Sequence, residues 1–168
     1  MTVAVGGTLA YLQATSESPL VNTFVATDAL KISLDEPLFE AAYPDKKVTY
    51  APGDDFVKDP TITNESETKT FVAATVEIEL TDGSKVDVED FDDYVSFQWN
   101  DSQVSVVPAK NGKTLLIYAT TALEKDNSVV LFNKVTVNKS LQTLENFKIN
   151  VFAYGVQAEI NGGTNTCE

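Results

Sequence analysis

The chain has 168 residues, the size of a single domain that can bury a core without disulfides or structural metals. It carries 25 acidic and 12 basic side chains, and its formal net charge of −13 argues against binding to nucleic acids or anionic membrane surfaces. Histidine is absent, which removes the usual base of serine and cysteine hydrolases and the usual ligands of hydrolytic zinc. We therefore predict no enzymatic activity and no cofactor.

The first residues are apolar and uncharged from Met1 to Leu12, but this stretch is shorter than the roughly 20 residues that span a bilayer. We interpret residues 1–10 as the remnant of an export signal that is cleaved after Ala10. Because no basic segment precedes it, we expect either a shortened gene start or a protein that was trimmed at its start. Residues 11–27 are predicted to form an extended arm, residues 28–161 the folded domain and residues 162–168 a flexible tail.

The folded domain is dominated by apolar and polar residues in alternation, the pattern of half-buried strands. Strands are predicted at Ala29–Leu34, Phe71–Leu80, Tyr94–Trp99, Val104–Val107, Thr114–Ala119, Val129–Val137 and Phe147–Glu159. Short helical turns are predicted at Glu36–Ala42, Val88–Tyr94 and Leu141–Glu145. No long helices alternate with the strands, so we predict an all-β fold, a two-sheet antiparallel sandwich of jelly-roll type.

Two dipeptides predict tight hairpin turns within this domain. Asp82-Gly83 and Asn111-Gly112 tolerate the positive φ angles that such turns require. They are the most specific local signals in the chain.

An acidic cluster is the best candidate for a metal site, since calcium takes several carboxylate and carbonyl oxygens. Its members are weak calcium candidates: Asp87, Glu89, Asp90, Asp92 and Asp93. They do not follow the EF-hand spacing, and a solvated acidic loop explains them better. No metal site is therefore assigned.

The aromatic residues leave a second alternative open. Trp99, Tyr94 and Tyr118 are candidates for a glycan-stacking platform, although their apolar neighbours at strand spacing also indicate core packing. Cys167 is the only cysteine, so no internal disulfide can form. It is either a tail residue or a point of attachment to another molecule.

Three separated segments carry a resemblance to a known family. The first is GGTLAYLQATSESPLVNTFVATDALKISLDE, which runs from a signal junction through a polar stretch and NTF into a strand. The second is YAPGDDFVKDPTITN at residues 50–64, and the third is the closing strand INVFAYGVQA at residues 149–158. Together they resemble the TasA/camelysin family of exported Gram-positive proteins, whose leaders are processed by the signal peptidase SipW.

The resemblance implies a jelly-roll domain that is secreted to the extracellular matrix or cell surface. In the best-known members it also implies assembly into biofilm matrix fibres, in which the N-terminal strand of one subunit completes the sheet of the next. On this interpretation the donor-strand anchors are Tyr11, Leu12, Leu20, Val21 and Phe24. The partner would be another copy, a related fibre subunit, or the cell wall or matrix.

Alternatives to a fibre subunit follow from the same residues. The arm can fold back as the edge strand of its own domain, which leaves a monomer. A monomeric exported protein would then be a binding module for glycan or calcium. Camelysin is described as a metalloprotease, but a chain without histidine does not support carrying that activity over.

Overall fold

The computed structural model describes residues 13–15, 30–140, 146–160 and 163–164. This part of the chain is mostly antiparallel β-structure with a few short helical turns. The strands are β1 (Gln13–Thr15), β2 (Ile32–Asp35), β3 (Asp55–Val57), β4 (Thr61–Asn64), β5 (Thr70–Leu80), β6 (Val95–Trp99), β7 (Val104–Pro108), β8 (Leu115–Ala119), β9 (Ser128–Val130), β10 (Phe132–Val137), β11 (Phe147–Gln157), β12 (Glu159–Ile160) and β13 (Gly163–Thr164). The helices are α1 (Pro37–Ala42) and α2 (Phe91–Tyr94), and a 3₁₀ turn at Val88–Asp90 precedes α2.

The largest sheet has five strands in the order β1-β11-β5-β8-β7. Its centre is the long antiparallel pair of β5 and β11, which is in register from Phe147 opposite Leu80 to Gln157 opposite Thr70. The predicted Asn111-Gly112 turn joins β7 to β8, and Gly112 has a φ of 68°.

Two three-stranded sheets, β2-β4-β9 and β3-β10-β6, accompany the large one. Thr61 pairs with Val130 in the first sheet, and Val57 pairs with Lys134 in the second, on either side of a short break. The two sheets share one antiparallel register, because Val57 precedes Thr61 by as many residues as Lys134 follows Val130. Across that break the backbone N–H of Leu131 donates to the carbonyl of Pro60 at 2.9 Å. Thus β3 and β4 act as one kinked strand, and β9 and β10 act as its partner.

A single hydrophobic core contains residues of all these sheets. From the large sheet it takes the inward face of β5 and its neighbours, including Val76, Ile78 and Ile117, all fully buried. From the smaller sheets it takes Ile62 and Phe132, which are also fully buried. The alternation of apolar and polar residues predicted for Phe71–Leu80 thus corresponds to side chains that lie in turn in this core and on the outer face of the sheet.

The predicted elements compare well with the observed ones. Every predicted strand is present within a few residues of its predicted ends, and Val129–Val137 is divided at Leu131 into β9 and β10. Helical turns occur at two of the three predicted places, and Leu141–Glu145 lies outside the described residues. The Asp82-Gly83 turn is confirmed by a φ of 83° at Gly83 and by the Leu80 N–H, which donates to the Ser84 carbonyl. The short strands β3 and β4 were not predicted.

Candidate functional site

The feature of most interest is the outer edge of β11. Its partner on that side is β1, which has three residues, whereas β11 has eleven. Ala14 lies opposite Gly155, and within the described residues the pairing includes one further residue on each side. Among the described strands none pairs with Phe147–Phe152 on this edge, which is about half the length of β11. Where a sheet edge is unpaired, its backbone donors and acceptors can bind another strand.

A groove runs along this part of β11. It consists of two adjoining cavities of about 370 and 470 Å³, which share Glu36, Lys46, Lys58, Ile149 and Asn150 in their walls. The other wall residues come from α1, the segment after it, β2, β3, β11 and the residue before β11. Eight of them are apolar and four are polar: Leu34, Phe39, Val48, Tyr50, Phe56, Phe147, Val151 and Phe152, and Asp35, Glu40, Asn146 and Lys148. A backbone edge beside an apolar groove is the arrangement that accepts an added strand.

Lys58 is the most unusual residue of the groove, because its side chain is only 9% exposed. Its ammonium group donates to Oε1 of Glu36 at 2.6 Å and lies 4.7 Å from the centre of the Phe39 ring. The carboxylate and the ring face take the place of the water that burial removes, and together they stabilise the positive charge of the ammonium group. This cluster ties β3 to the start of α1.

Asp59 fixes the position of α1 from the other side. Its two carboxylate oxygens accept from the backbone N–H groups of Leu38 and Phe39 at 3.0 and 2.9 Å. Residue 36, which precedes the helix, provides no side-chain cap, so Asp59 satisfies these N–H groups from a distant part of the chain. One wall of the groove is therefore rigidly held.

Further charged pairs lie at the rim of the groove. The carboxylate of Glu40 raises the pKa of Lys46 above its ordinary value by accepting a hydrogen bond from it. At the other end, a hydrogen bond from Lys148 is the main reason that the pKa of Glu79 lies below its ordinary value. Both pairs are exposed to water and contribute little to stability. The site thus combines an apolar floor with a paired, nearly neutral rim, which suits a peptide better than a small anion.

The residues predicted to anchor a donor strand lie outside the described part of the chain: Tyr11, Leu12, Leu20, Val21 and Phe24. The same holds for residues 1–10 and for Cys167. Of the predicted arm the structure describes Gln13–Thr15, which pairs with β11 of its own chain, as in the alternative of an arm that folds back. Of the predicted tail it describes Gly163–Thr164, which pairs with β12 as β13.

The acidic cluster lies on the 3₁₀ turn and α2, and Asp87 pairs with Lys113 at 3.0 Å. Nowhere in the described part of the chain do three or more acidic or other metal-binding side chains converge as a group that could hold a metal ion. The structure therefore does not gather Asp87, Glu89, Asp90, Asp92 and Asp93 into one site.

The three aromatic residues considered for a glycan platform lie in different surroundings. Tyr94 contacts Phe147 edge to face with ring centroids 6.1 Å apart, and Tyr118 is 38% exposed on the outer face of β8. Trp99 ends β6 in a different sheet and packs on Phe97 and Phe132. They do not form one platform.

Sequence reasoning missed Glu36 and Lys58, the charged pair in the groove wall, and Asp59, which holds α1 in place. In the sequence, Lys58 and Asp59 stand between apolar residues and a proline. This pattern indicates that they are buried only once their partners are known. Glu36 is distant in the sequence, and the fold alone brings it to Lys58. Asn64, the end of the second resembling segment, is fully buried and donates to the Thr68 and Leu123 carbonyls, which is a structural role.

No helix in the described residues is long and apolar enough to cross a membrane. No family model, curated protein or solved structure matches the chain. The resemblance to the TasA/camelysin family therefore stays a prediction from the quoted segments.

Proposed function

We propose that the protein is a secreted structural subunit of extracellular matrix or cell-surface fibres. In this proposal the N-terminal arm of one subunit pairs with β11 of the next. The observation that carries it is the edge of β11 at Phe147–Phe152, with which no described strand pairs, bordered by the groove and next to the three described residues of β1. An extended peptide gains main-chain hydrogen bonds at such an edge, and its alternate side chains fill the groove.

The described pairing of β1 is compatible with such an exchange. A strand that completes the sheet of its own domain makes the same contacts when it completes the sheet of a second copy, so the exchange has a low cost. Repeated in one direction, this head-to-tail contact gives a filament unless the rotation closes a ring.

The observed register suggests how a longer arm would lie. Thr15 is opposite Tyr154, so an antiparallel arm that continues in this register brings Leu20 opposite Ile149, and Phe24 follows just beyond Phe147. Burying three apolar anchors contributes on the order of 5 kcal/mol before ordering costs, at roughly 1.5–3 kcal/mol each. That is enough to bias assembly without making it irreversible.

The same proposal includes the jelly-roll arrangement of the domain. The five-stranded sheet would form one layer, and the two in-register small sheets would together form the other. The common core between them and the continuous ladder of β3-β4 with β9-β10 support this arrangement.

Disulfide trapping tests the exchange directly. Thr15 and Tyr154 lie directly opposite each other, within the reach of a disulfide when both are cysteine. Two proteins, Thr15→Cys and Tyr154→Cys, each with Cys167→Ser, are mixed and oxidised under assembly conditions. We expect a covalent heterodimer on a non-reducing gel, because only an arm that pairs with another subunit brings the two cysteines together.

A matched control replaces Tyr154→Cys by Ser96→Cys, an exposed position on β6, and should give no heterodimer. The single-chain variant Thr15→Cys/Tyr154→Cys shows whether the pair can close at all. An internal bridge in that variant, combined with no heterodimer in the mixture, would exclude exchange of the arm.

The groove is tested by a charge placed in its wall. Val48 lines the groove, whereas its exposed neighbour Thr49 does not. Val48→Asp should suppress heterodimer formation in the same assay, while Thr49→Asp adds the same charge and should leave it intact. Equal yields from both would remove the groove from the proposed contact.

A further inference from the structure

A separate cavity of about 430 Å³ lies at the end of β6, away from β11, and its walls combine apolar and polar side chains. Its apolar part consists of Trp99, Val130 and Leu38, and Leu38 is 59% exposed, the highest value among the large hydrophobic residues that the structure describes. Leu38 and Trp99 thus place an apolar surface in the wall of an otherwise polar cavity, a combination that is common in ligand sites.

The indole of Trp99 is held in place by its neighbours. Its ring lies 4.9 Å from the Phe97 ring and 5.2 Å from the Phe132 ring, the latter at an angle of 82°. Phe132 is fully buried in the core, so the aromatic wall of the cavity is fixed before any ligand arrives.

Part of the polar wall is also fixed. Asn100 donates through Nδ2 to Oε1 of Gln103 and to the Val130 carbonyl, and its Oδ1 accepts from the hydroxyl of Ser102. Asp59 is held by the N–H groups at the start of α1. These groups shape the cavity and leave little of their own capacity for a ligand.

Three other polar side chains lack such ties. Gln98, Asp101 and Asn133 are exposed, and none has a side-chain hydrogen bond to another residue in the described part of the chain. Asn133 lies where the register between β10 and β6 shifts, between the pairs Phe132–Trp99 and Val135–Phe97. A β-bulge of this kind redirects side chains, and bulges are frequent next to binding sites.

We propose that this cavity binds a neutral sugar unit of a glycan. Amide and carboxylate groups at Gln98, Asp101 and Asn133 offer both donors and acceptors, which neighbouring hydroxyl groups require. Trp99 and Leu38 provide the apolar surface for the C–H face of a sugar ring. No lysine or arginine is among the described residues that line the cavity, and two aspartates are, so an anionic ligand is disfavoured.

The proposed site goes beyond the role in fibres, because none of its residues lies in the wall of the β11 groove. It would attach a subunit, or a fibre built from such subunits, to a polysaccharide surface. The binding is therefore expected in the monomer as well as in any assembly.

The only tryptophan of the chain is Trp99, which lines this cavity, so its fluorescence is a direct probe of binding there. The full chain is titrated with four probes: the hexamers of β-1,4-linked glucose, α-1,4-linked glucose, β-1,4-linked N-acetylglucosamine and galacturonate. We expect a saturable change with at least one neutral hexamer at millimolar concentration or below, and none with the anionic galacturonate.

Two variants assign the binding to the cavity. Asn133→Ala and Gln98→Ala should each weaken the affinity about tenfold, the effect of one lost hydrogen bond of good geometry. Ser96→Ala, an exposed position on the same strand as Gln98 and outside the cavity, should bind as the unchanged chain does. Circular dichroism confirms that each variant is folded.

Three results would overturn the proposal. The first is the absence of a saturable change with all three neutral hexamers. The second is equal binding of galacturonate. The third is an equal loss of affinity in Ser96→Ala and Asn133→Ala.

Discussion

At the scale of single residues, the buried lysine of the β11 groove shows how strongly a charge depends on its partner. Lys58 is nearly enclosed and has Glu36 and the Phe39 ring as its compensating groups. The neighbouring pair of Lys46 and Glu40 has a similar separation of 2.8 Å, but both of its side chains are more than half exposed. Burial, not distance, distinguishes the two pairs.

This difference gives a direct prediction. Glu36→Gln should lower the free energy of unfolding by about 2–3 kcal/mol, because it leaves the Lys58 ammonium buried without a counter-charge. Urea denaturation measures the change. The matched substitution Glu40→Gln in the exposed pair should cost less than about 1 kcal/mol.

A double variant distinguishes two causes of this destabilisation, the loss of the ion pair and the cost of a buried charge that has no partner. Glu36→Gln/Lys58→Met should be more stable than Glu36→Gln alone, since methionine needs no partner in this site. Equal stability of the single and double variants would show that the burial of charge is not the cause.

At the scale of elements, the close approach of β2 and β11 depends on one glycine. A Cβ atom on Gly155 would lie 3.1 Å from Cγ2 of Ile32 and 3.3 Å from Cγ2 of Thr70. The same glycine lies opposite Ala14 in the β1 pair. The position therefore needs glycine for contact distance, since its φ angle is not in the left-handed region.

Gly155→Ala should lower the free energy of unfolding by about 1–3 kcal/mol, the usual effect of overpacking a tight site. Combining it with Ile32→Ala removes the clashing methyl group, so the two effects should not be additive in a double-mutant cycle followed by urea denaturation. Additive effects would show that the strain caused by Gly155→Ala does not come from contact with Ile32.

Most of the elements could be predicted from the sequence, and the exceptions have a physical reason. Alternation over five or more residues identified β5, β8 and β11, and Asp-Gly and Asn-Gly identified two turns. The strands β3 and β4 are too short for alternation to be visible, and Asp59-Pro60 between them signals a break. They become recognisable only through their common register with β9 and β10.

At the scale of the whole molecule, the net charge of −13 opposes any association between copies. The donor-strand contact proposed above must therefore overcome a repulsion that salt screens, with a Debye length of about 8 Å at 0.15 M. Higher ionic strength is thus expected to favour assembly.

Protein that begins at Tyr11 should form filaments visible by electron microscopy, faster at about 150 mM than at about 10 mM salt. Protein that begins at Thr27 lacks the whole arm up to Phe24 and should stay monomeric at both. Identical monomeric behaviour of the two proteins would remove the arm from the assembly mechanism. Filaments from both would place the contact between subunits in the domain itself.

The sequence by itself determined the β-rich class, the positions of most strands and turns, and the exclusion of histidine-dependent chemistry. These follow from local pattern and composition, which every segment carries without reference to the rest of the chain. It did not reveal the groove along β11 or the cavity beside Trp99. Both combine residues from several elements, such as Glu36 with Ile149 and Leu38 with Asn133, and only tertiary packing brings such residues to one surface.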